Sequence, residues 1–408
     1  MTAQPQPFDF DRVCDRRSTN SVKWDECPQP DILPLWVADM DFPTAPCVQD
    51  AVMRRAAHGC YGYTLVPDAY YESIVRWFST RHGWDIDRTD ILYTIGVVPA
   101  IAAILKAVCQ TGDNVVLLTP VYNCFYNLVR NAGCQALEVA LIPDYADGSI
   151  TYTIDWDALS RALSHEKSTV LLFCNPHNPV GRVWSEDELE RVARLCYRHG
   201  ITLISDEIHN ELTAPGVMYN PMGRVVQRLS SAYAFPRPLR YCVCTSPSKS
   251  FNIAGLQNAN IICPDDDLRR RIDRAVNLNE TCDVNPFGVE AVMAAYNEGS
   301  EWLDSLRAYI YANYDYACEY LRRQCPSVSI AEMKGTYLMW VDVREAMQRH
   351  GVSQVGEFCR RLMIDARVWL CAGSIYGRDG EGFVRINLAC PRQTLTEALS
   401  RLAAYIGR

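Results

Sequence analysis

The sequence predicts an α/β protein: a large, mostly parallel sheet sandwiched by helices, followed by a smaller α+β domain. Three observations carry this. Short β-branched runs alternate with amphipathic stretches through the middle of the chain. Each run ends in a glycine or a polar residue, as strands do where they leave a sheet. After about residue 288 the alternation gives way to long helix.

The clearest unit spans 169–206. TVLLFC (169–174) reads as a strand and NPHNPVGRVW (175–184) as a rigid loop. Ser185 and Glu188 have the spacing of a capping box. The helix that follows has apolar positions Leu189, Val192, Ala193 and Cys196 and stops at Gly200. ITLIS (201–205) is the next strand and ends at Asp206. Strand, helix, strand implies parallel pairing with both faces covered. Upstream, ILYTI (91–95) is a strand ended by Gly96, and Pro99 opens a helix that closes before Gly112. VVLLT (115–119) is a strand, about 122–131 a helix and ALEVAL (136–141) a strand. Downstream, 290–324 reads as long helix interrupted near Asn297-Glu-Gly. YLMWVDV (337–343), a helix near 353–364, RVWLCAG (367–373), FVRINLA (383–389) and a terminal helix complete the chain. The expected division is an N-terminal arm and part of the small domain over 1–47, a large domain over 48–287 and a small domain over 288–408.

Composition narrows the functional classes. With 49% hydrophobic and 22% charged residues the chain is ordinary for a globular protein. No window approaches the 18 or more apolar residues of a membrane span. The 48 acidic against 40 basic residues give a net charge of −8 with no basic run, which argues against a nucleic-acid partner. The N-terminus lacks the apolar core of a secretory signal, so a cytoplasmic location is expected. The 18 cysteines run from Cys14 to Cys390 without a CxxC pair. They read as reduced thiols, neither a disulfide framework nor a metal site.

In a parallel sheet, polar residues just past the strand C-termini collect in one crevice. Asn175, Asn178 and Asp206 hold such positions, as do Gly96, Pro120 and the run SPSKSFNIAGL (246–256), which follows YCVCT (241–245). Asp206 alone could cap a helix, join an ion pair, ligate a metal or hold a cationic ring nitrogen. Lys249 alone could bind an anion or act as an amine nucleophile once desolvated. The pair says more than either member. Pyridoxal phosphate requires a lysine for its aldehyde and an acid for its pyridinium nitrogen. The Gly96-Val97-Val98 turn at a helix N-terminus offers N–H groups for a phosphate. The hydroxyls of Ser246 and Ser248 add to them.

At this point the resemblance to a known family is specific. SPSKSFNIAGL, preceded by SDEIH and NPHNPVG, is similar to the fold-type I pyridoxal-phosphate enzymes, the aspartate aminotransferase superfamily. LWVADMDF (35–42), YGYT (61–64), PVYNCFY (120–126), CNPHNPVGRVW (174–184) and FVRINLACPR (383–392) resemble its cystathionine β-lyase and cysteine C–S lyase branch. The match covers about 8–405. The resemblance implies a sheet of the seven-stranded type and assigns roles by position. Lys249 is then the lysine that bonds the cofactor, and Asp206 the partner of its ring nitrogen. Asn178 and His209 face the phenolic oxygen, and Tyr122 stacks on the ring. Ser246 contacts the phosphate. Tyr61 reaches the phosphate of a neighbouring subunit, which implies a homodimer with shared sites. Arg385 holds the substrate carboxylate with Asn178; an arginine inside an apolar strand needs a buried anion in any case. Thr119-Pro120 and Asn178-Pro179 are expected to be cis.

Gln257 stands where many aminotransferase relatives carry a basic residue, which tilts the reading from transaminase to lyase. The expected reaction is elimination from L-cystathionine, L-cysteine or an S-substituted cysteine to pyruvate, ammonia and a thiol. A class I/II aminotransferase and a regulatory protein on the same fold are the alternatives. Tyr63, Tyr122 and Ile375 are expected to line the substrate pocket.

Overall fold

The computed structural model describes residues 8–232, 238–278 and 283–407; residues 1–7 of the expected N-terminal arm lie outside this range. Seven strands form the large sheet in the spatial order Gln135–Ala146, Asn114–Thr119, Ser168–Cys174, Thr202–Asp206, Tyr241–Thr245, Ala259–Ile262, Ile91–Thr94. All but Ala259–Ile262 run in one direction, which agrees with the expected sheet. The strand Tyr241–Thr245 is parallel to Thr202–Asp206, so the lysine loop and Asp206 leave the same edge.

Alternation explains the two layers. Val116 and Leu118 face one buried core, while Val115 and Leu117 face the other. Leu171 with Phe173, against Val170 with Leu172, repeat the division on the neighbouring strand. With both faces dry, every strand position must be apolar, and the sequence reads as unbroken hydrophobic runs. Helices form as their local signals require. Val97–Val108 starts directly after Gly96, two residues before the expected Pro99. Glu186–His199 has the full capping box from Ser185 and ends at Gly200 in the left-handed region. The long helix divides into Pro286–Glu298 and Ser300–Gln324. A Cβ on the intervening Gly299 would meet the Phe251 ring at 2.4 Å, so the break sits where the chain crosses that ring.

Two expectations change. The strand begun at 136 continues to Ala146, pairs over its second half with Ser149–Ile154, and carries the sheet onward to Ser329–Ala331. Asp147 and Gly148 make the turn with φ of 49° and 73°, the conformation of a tight hairpin. The expected boundary at 287/288 is therefore crossed by a hairpin from the large-domain stretch. RVWLCAG is not one strand. Val368–Trp369 pairs with Leu33–Pro34, and Cys371–Ala372 pairs with Phe383–Asn387, because the two halves have different partners.

The N-terminal segment lacks periodicity because side chains and not a ladder hold it. Asn387 Nδ2 donates to the carbonyls of Val37 and Asp39, each at 2.6 Å. Asn252 Nδ2 donates to those of Met40 and Phe42 at 3.0 and 2.8 Å. Asp41 accepts from Lys23 Nζ, Arg16 Nη1 and Trp24 Nε1, each at 2.8 Å. Lys23 is wholly buried, so its charge depends on Asp41 and Asp39. Asp41→Asn should cost about 3 kcal/mol, because the buried cation loses its nearer carboxylate and keeps only Asp39 at 3.6 Å. A lowered thermal midpoint and faster proteolysis within 16–42 are the expected readouts.

Candidate active site

The ends of several strands meet at one cavity of about 250 Å³. Lys249 follows the strand Tyr241–Thr245 and extends across the cavity to donate to the carbonyl of Ala38 at 2.6 Å. Part of its surface faces the cavity, while packed protein surrounds the rest. Burial pulls its pKa down to about 8, helped by the positive charge of Arg385 and opposed by Asp39 and Asp206. Asp206 closes its strand, lines the cavity, and accepts one N–H, from Ile208 at 3.1 Å. Burial raises it to about 7 against that hydrogen bond and the charge of Lys249.

Arg385 lies within the strand Phe383–Asn387, buried among apolar neighbours. Its Nη2 donates to the carbonyl of Trp36 at 2.9 Å and its Nη1 to Asn178 Oδ1 at 3.2 Å. The guanidinium lies 4.9 Å from the Tyr376 ring centre, and Nε has no acceptor. Among the described residues no carboxylate pairs with it. A structural Arg–Asp pair is thereby ruled out among those residues, and the guanidinium has unused capacity for an anion.

Asn178 lies in the rigid loop, where Asn178-Pro179 is cis as expected. Thr119-Pro120 is likewise cis, and Asn175-Pro176 is a third cis bond that the sequence reading did not include. His209 is buried at the cavity with Nδ1 unpartnered. Desolvation and the charges of Lys249 and Arg385 hold its pKa well below the usual range, so the imidazole is neutral. Tyr122 lines the cavity, its phenol pushed up by burial and by neighbouring Cys124. Val97 and Val98 line it from the first helical turn, where N–H groups have no intrahelical acceptor.

Other expected residues stand elsewhere. The Ser246 hydroxyl donates to Asn258 O at 2.6 Å and accepts from Ser248 N at 3.1 Å, and neither serine lines the cavity. Tyr61 is half-exposed and its phenol donates to Ala56 O of its own chain. Tyr63 is 98% exposed and does not line the pocket, a correction to the sequence reading. It sits on the coil between the helices Pro46–Ala57 and Asp68–His82, with no packing surface of its own chain around it. Ile375 and Tyr122 do line the cavity as expected. Gln257 is exposed, with φ of 49°, and lies outside the lining.

Sequence reasoning missed Trp36, Ala38, Cys124, Cys371 and Tyr376, all at the cavity. Trp36 and Ala38 act through backbone carbonyls, which no side-chain signal marks. Cys371 and Tyr376 approach each other at 3.1 Å across a short turn.

The unused donors and acceptors suit a flat polar ligand with an anionic group, beside an amine and a carboxyl. Residues 30–402 match the family model described as aminotransferase class I and II, and the chain belongs to that family. It is 36% identical over 403 residues to cystathionine β-lyase PatB of Bacillus subtilis (strain 168), covering 98% of this chain and all of that protein. A pyridoxal-phosphate-bound putative aminotransferase from Clostridium difficile 630 superimposes with a TM-score of 0.90 at 34% identity, covering 98% of this chain and 100% of that one. The pyridoxal-phosphate-bound C–S lyase from Staphylococcus hominis gives 0.89 at 28% identity, with 98% of each chain covered.

The Asp206 carboxyl makes a pH prediction. Its folded pKa of about 7 exceeds the ordinary 3.8, so the folded chain keeps a proton that the unfolded chain releases. Its contribution to stability is full below the unfolded value and is lost as pH rises through the folded one. Asp206→Asn should therefore stabilise the cofactor-free protein by a margin that widens between pH 3.8 and about 7 and then levels. Urea midpoints of both proteins across that window measure it.

Proposed function

We propose that this chain is a pyridoxal-phosphate-dependent C–S β-lyase that cleaves L-cystathionine, L-cysteine or S-substituted cysteines to pyruvate, ammonia and a thiol. The observation that carries the reading is Arg385, a buried guanidinium without a carboxylate partner, in one cavity with Lys249 and Asp206. The relatives named cystathionine β-lyase and C–S lyase support the choice of reaction.

Held in this cavity, the cofactor would supply a sink for electrons from the substrate Cα. The residues do the remainder. Arg385 and Asn178 grip the α-carboxylate and fix the Cα–H bond toward Lys249. Lys249, once the substrate amine has taken its place, is a free amine whose pKa, lowered to about 8, suits it to accept the Cα proton. Asp206 would hold the proton on the cofactor's ring nitrogen, and Tyr122, which lines the same cavity, would pack against the ring. His209, neutral, and Asn178 are placed for the phenolic oxygen, and the first-turn N–H groups of Val97 and Val98 for the phosphate. Loss of the Cα proton and departure of the sulfur from Cβ as thiolate are the bond changes. Protonation of the thiolate and hydrolysis complete the products.

The homodimer expected from the resemblance is supported by exposed Tyr61, Tyr63 and Leu65 on one coil, an apolar strip in search of a cover. The described cysteines are free thiols, which suits a reducing compartment such as the cytoplasm. A class I/II aminotransferase is the second reading, favoured by the likeness to the Clostridium difficile 630 aminotransferase.

Incubation with L-cystathionine should release pyruvate catalytically, and Lys249→Ala should abolish it. Keto-acid exchange without pyruvate from any cysteine derivative would instead establish the transaminase. Arg385→Ala should raise KM for the cleaved substrate about 100-fold, since a bidentate carboxylate contact is lost. Steady-state kinetics of both proteins, each with full cofactor content by absorbance, check it.

A further inference from the structure

The reaction cavity is small, about 250 Å³. Ligand pockets commonly run to roughly 300–1,000 Å³, so cofactor and amino-acid backbone fill this one and the sulfur substituent must extend outward. Next to it lies a wider cavity of about 670 Å³, and Asn123 and Ile375 line both. Asn123 and Ile375 thus stand at the threshold between the two.

The outer cavity carries charge of both signs. Arg378 lines it, is exposed, and has no ion pair among the described residues. Glu138 lines it too, is exposed, and among the described residues accepts only from the Tyr126 phenol, at 3.2 Å. Glu381 is already engaged by Val355 N, and Asp379 by the Thr119 hydroxyl at 2.6 Å. One cation, Arg378, and two carboxylates, Glu138 and Glu381, thus line the same space with no ion pair among the described residues, and of these Arg378 and Glu138 are the pair of opposite charge that no backbone group holds. A group with a carboxylate and an ammonium is complementary to that pair, and an alkyl group is not.

We infer that Arg378 and Glu138 form an outer subsite that reads the far end of the sulfur substituent, selecting cysteine conjugates that end in an α-amino acid over those that end in an alkyl group. The inference rests on the lyase reading for its substrate. Arg378 takes the distal carboxylate and Glu138 the distal ammonium, while Ile375 borders the connecting methylenes.

The test uses binding, so that it stands apart from turnover. In 2,7-diaminosuberate and in norleucine a methylene replaces sulfur, so neither is cleaved; one ends in an α-amino acid and the other in a methyl. Dissociation constants of both are measured by calorimetry on the cofactor-loaded protein, the Arg378→Ala and the Glu138→Gln variants. The parent should prefer diaminosuberate, and each variant should lose about fivefold of that preference, the upper end for an exposed ion pair. Norleucine binding should hold in both variants. Equal preference in parent and variants, or parallel loss for both ligands, would overturn the subsite. Failure of pyruvate release with intact diaminosuberate preference would overturn the lyase reading and leave the subsite standing.

Discussion

Two cationic side chains at one buried cavity, Lys249 and Arg385, set the terms for the rest of this structure. The charge of Arg385 lowers the Lys249 amine, and backbone carbonyls solvate both groups: Ala38 for Lys249 and Trp36 for Arg385. Carbonyl dipoles solvate a cation but do not cancel its charge. The amine therefore sits close to neutrality, and the guanidinium, which cannot deprotonate, keeps capacity for an incoming anion.

That arrangement explains why the aperiodic N-terminal segment is so firmly tied. Trp36 and Ala38 are useful only if their carbonyls point into the cavity. Asn387 and Asn252 fix the chain on either side, and the Tyr337 phenol donates to Ala38 O at 2.8 Å. Asn387 follows Arg385 by two positions on one strand, so the same element presents the guanidinium and anchors the carbonyl that faces it. The buried Lys23–Asp41 pair then holds the segment down from outside. Scaffold and site share residues, and a fault in one is felt in the other.

The sequence made much of this legible, because strong local signals coincide with function. The capping box at Ser185 and the apolar run ending at Asp206 mark a helix and a strand that the structure contains, and the charge inside FVRINLA marks a buried guanidinium within a strand. The parallel sheet followed from the βαβ spacing. What stayed hidden has common causes. The Ser149–Ile154 strand was missed although ADGS marks a hairpin, since the preceding strand contains Pro143 and bends between sheets. Backbone carbonyls at Trp36 and Ala38 leave no trace in residue type. The Ser246 hydroxyl, expected at the phosphate, ties the lysine loop to Asn258, a contact that residue type does not announce. Tyr61 and Tyr63 have no inward environment in a single chain, and the sequence could not say which surface they serve.

The central claim is that burial and Arg385 together lower the Lys249 amine before any ligand arrives. Competitive acetylation of the cofactor-free protein across pH, with peptide mapping of each lysine, measures that amine directly. The account predicts an apparent pKa of about 8 for Lys249, rising in Arg385→Gln. A value near the ordinary 10.5 in the parent, or one indifferent to Arg385, would contradict it.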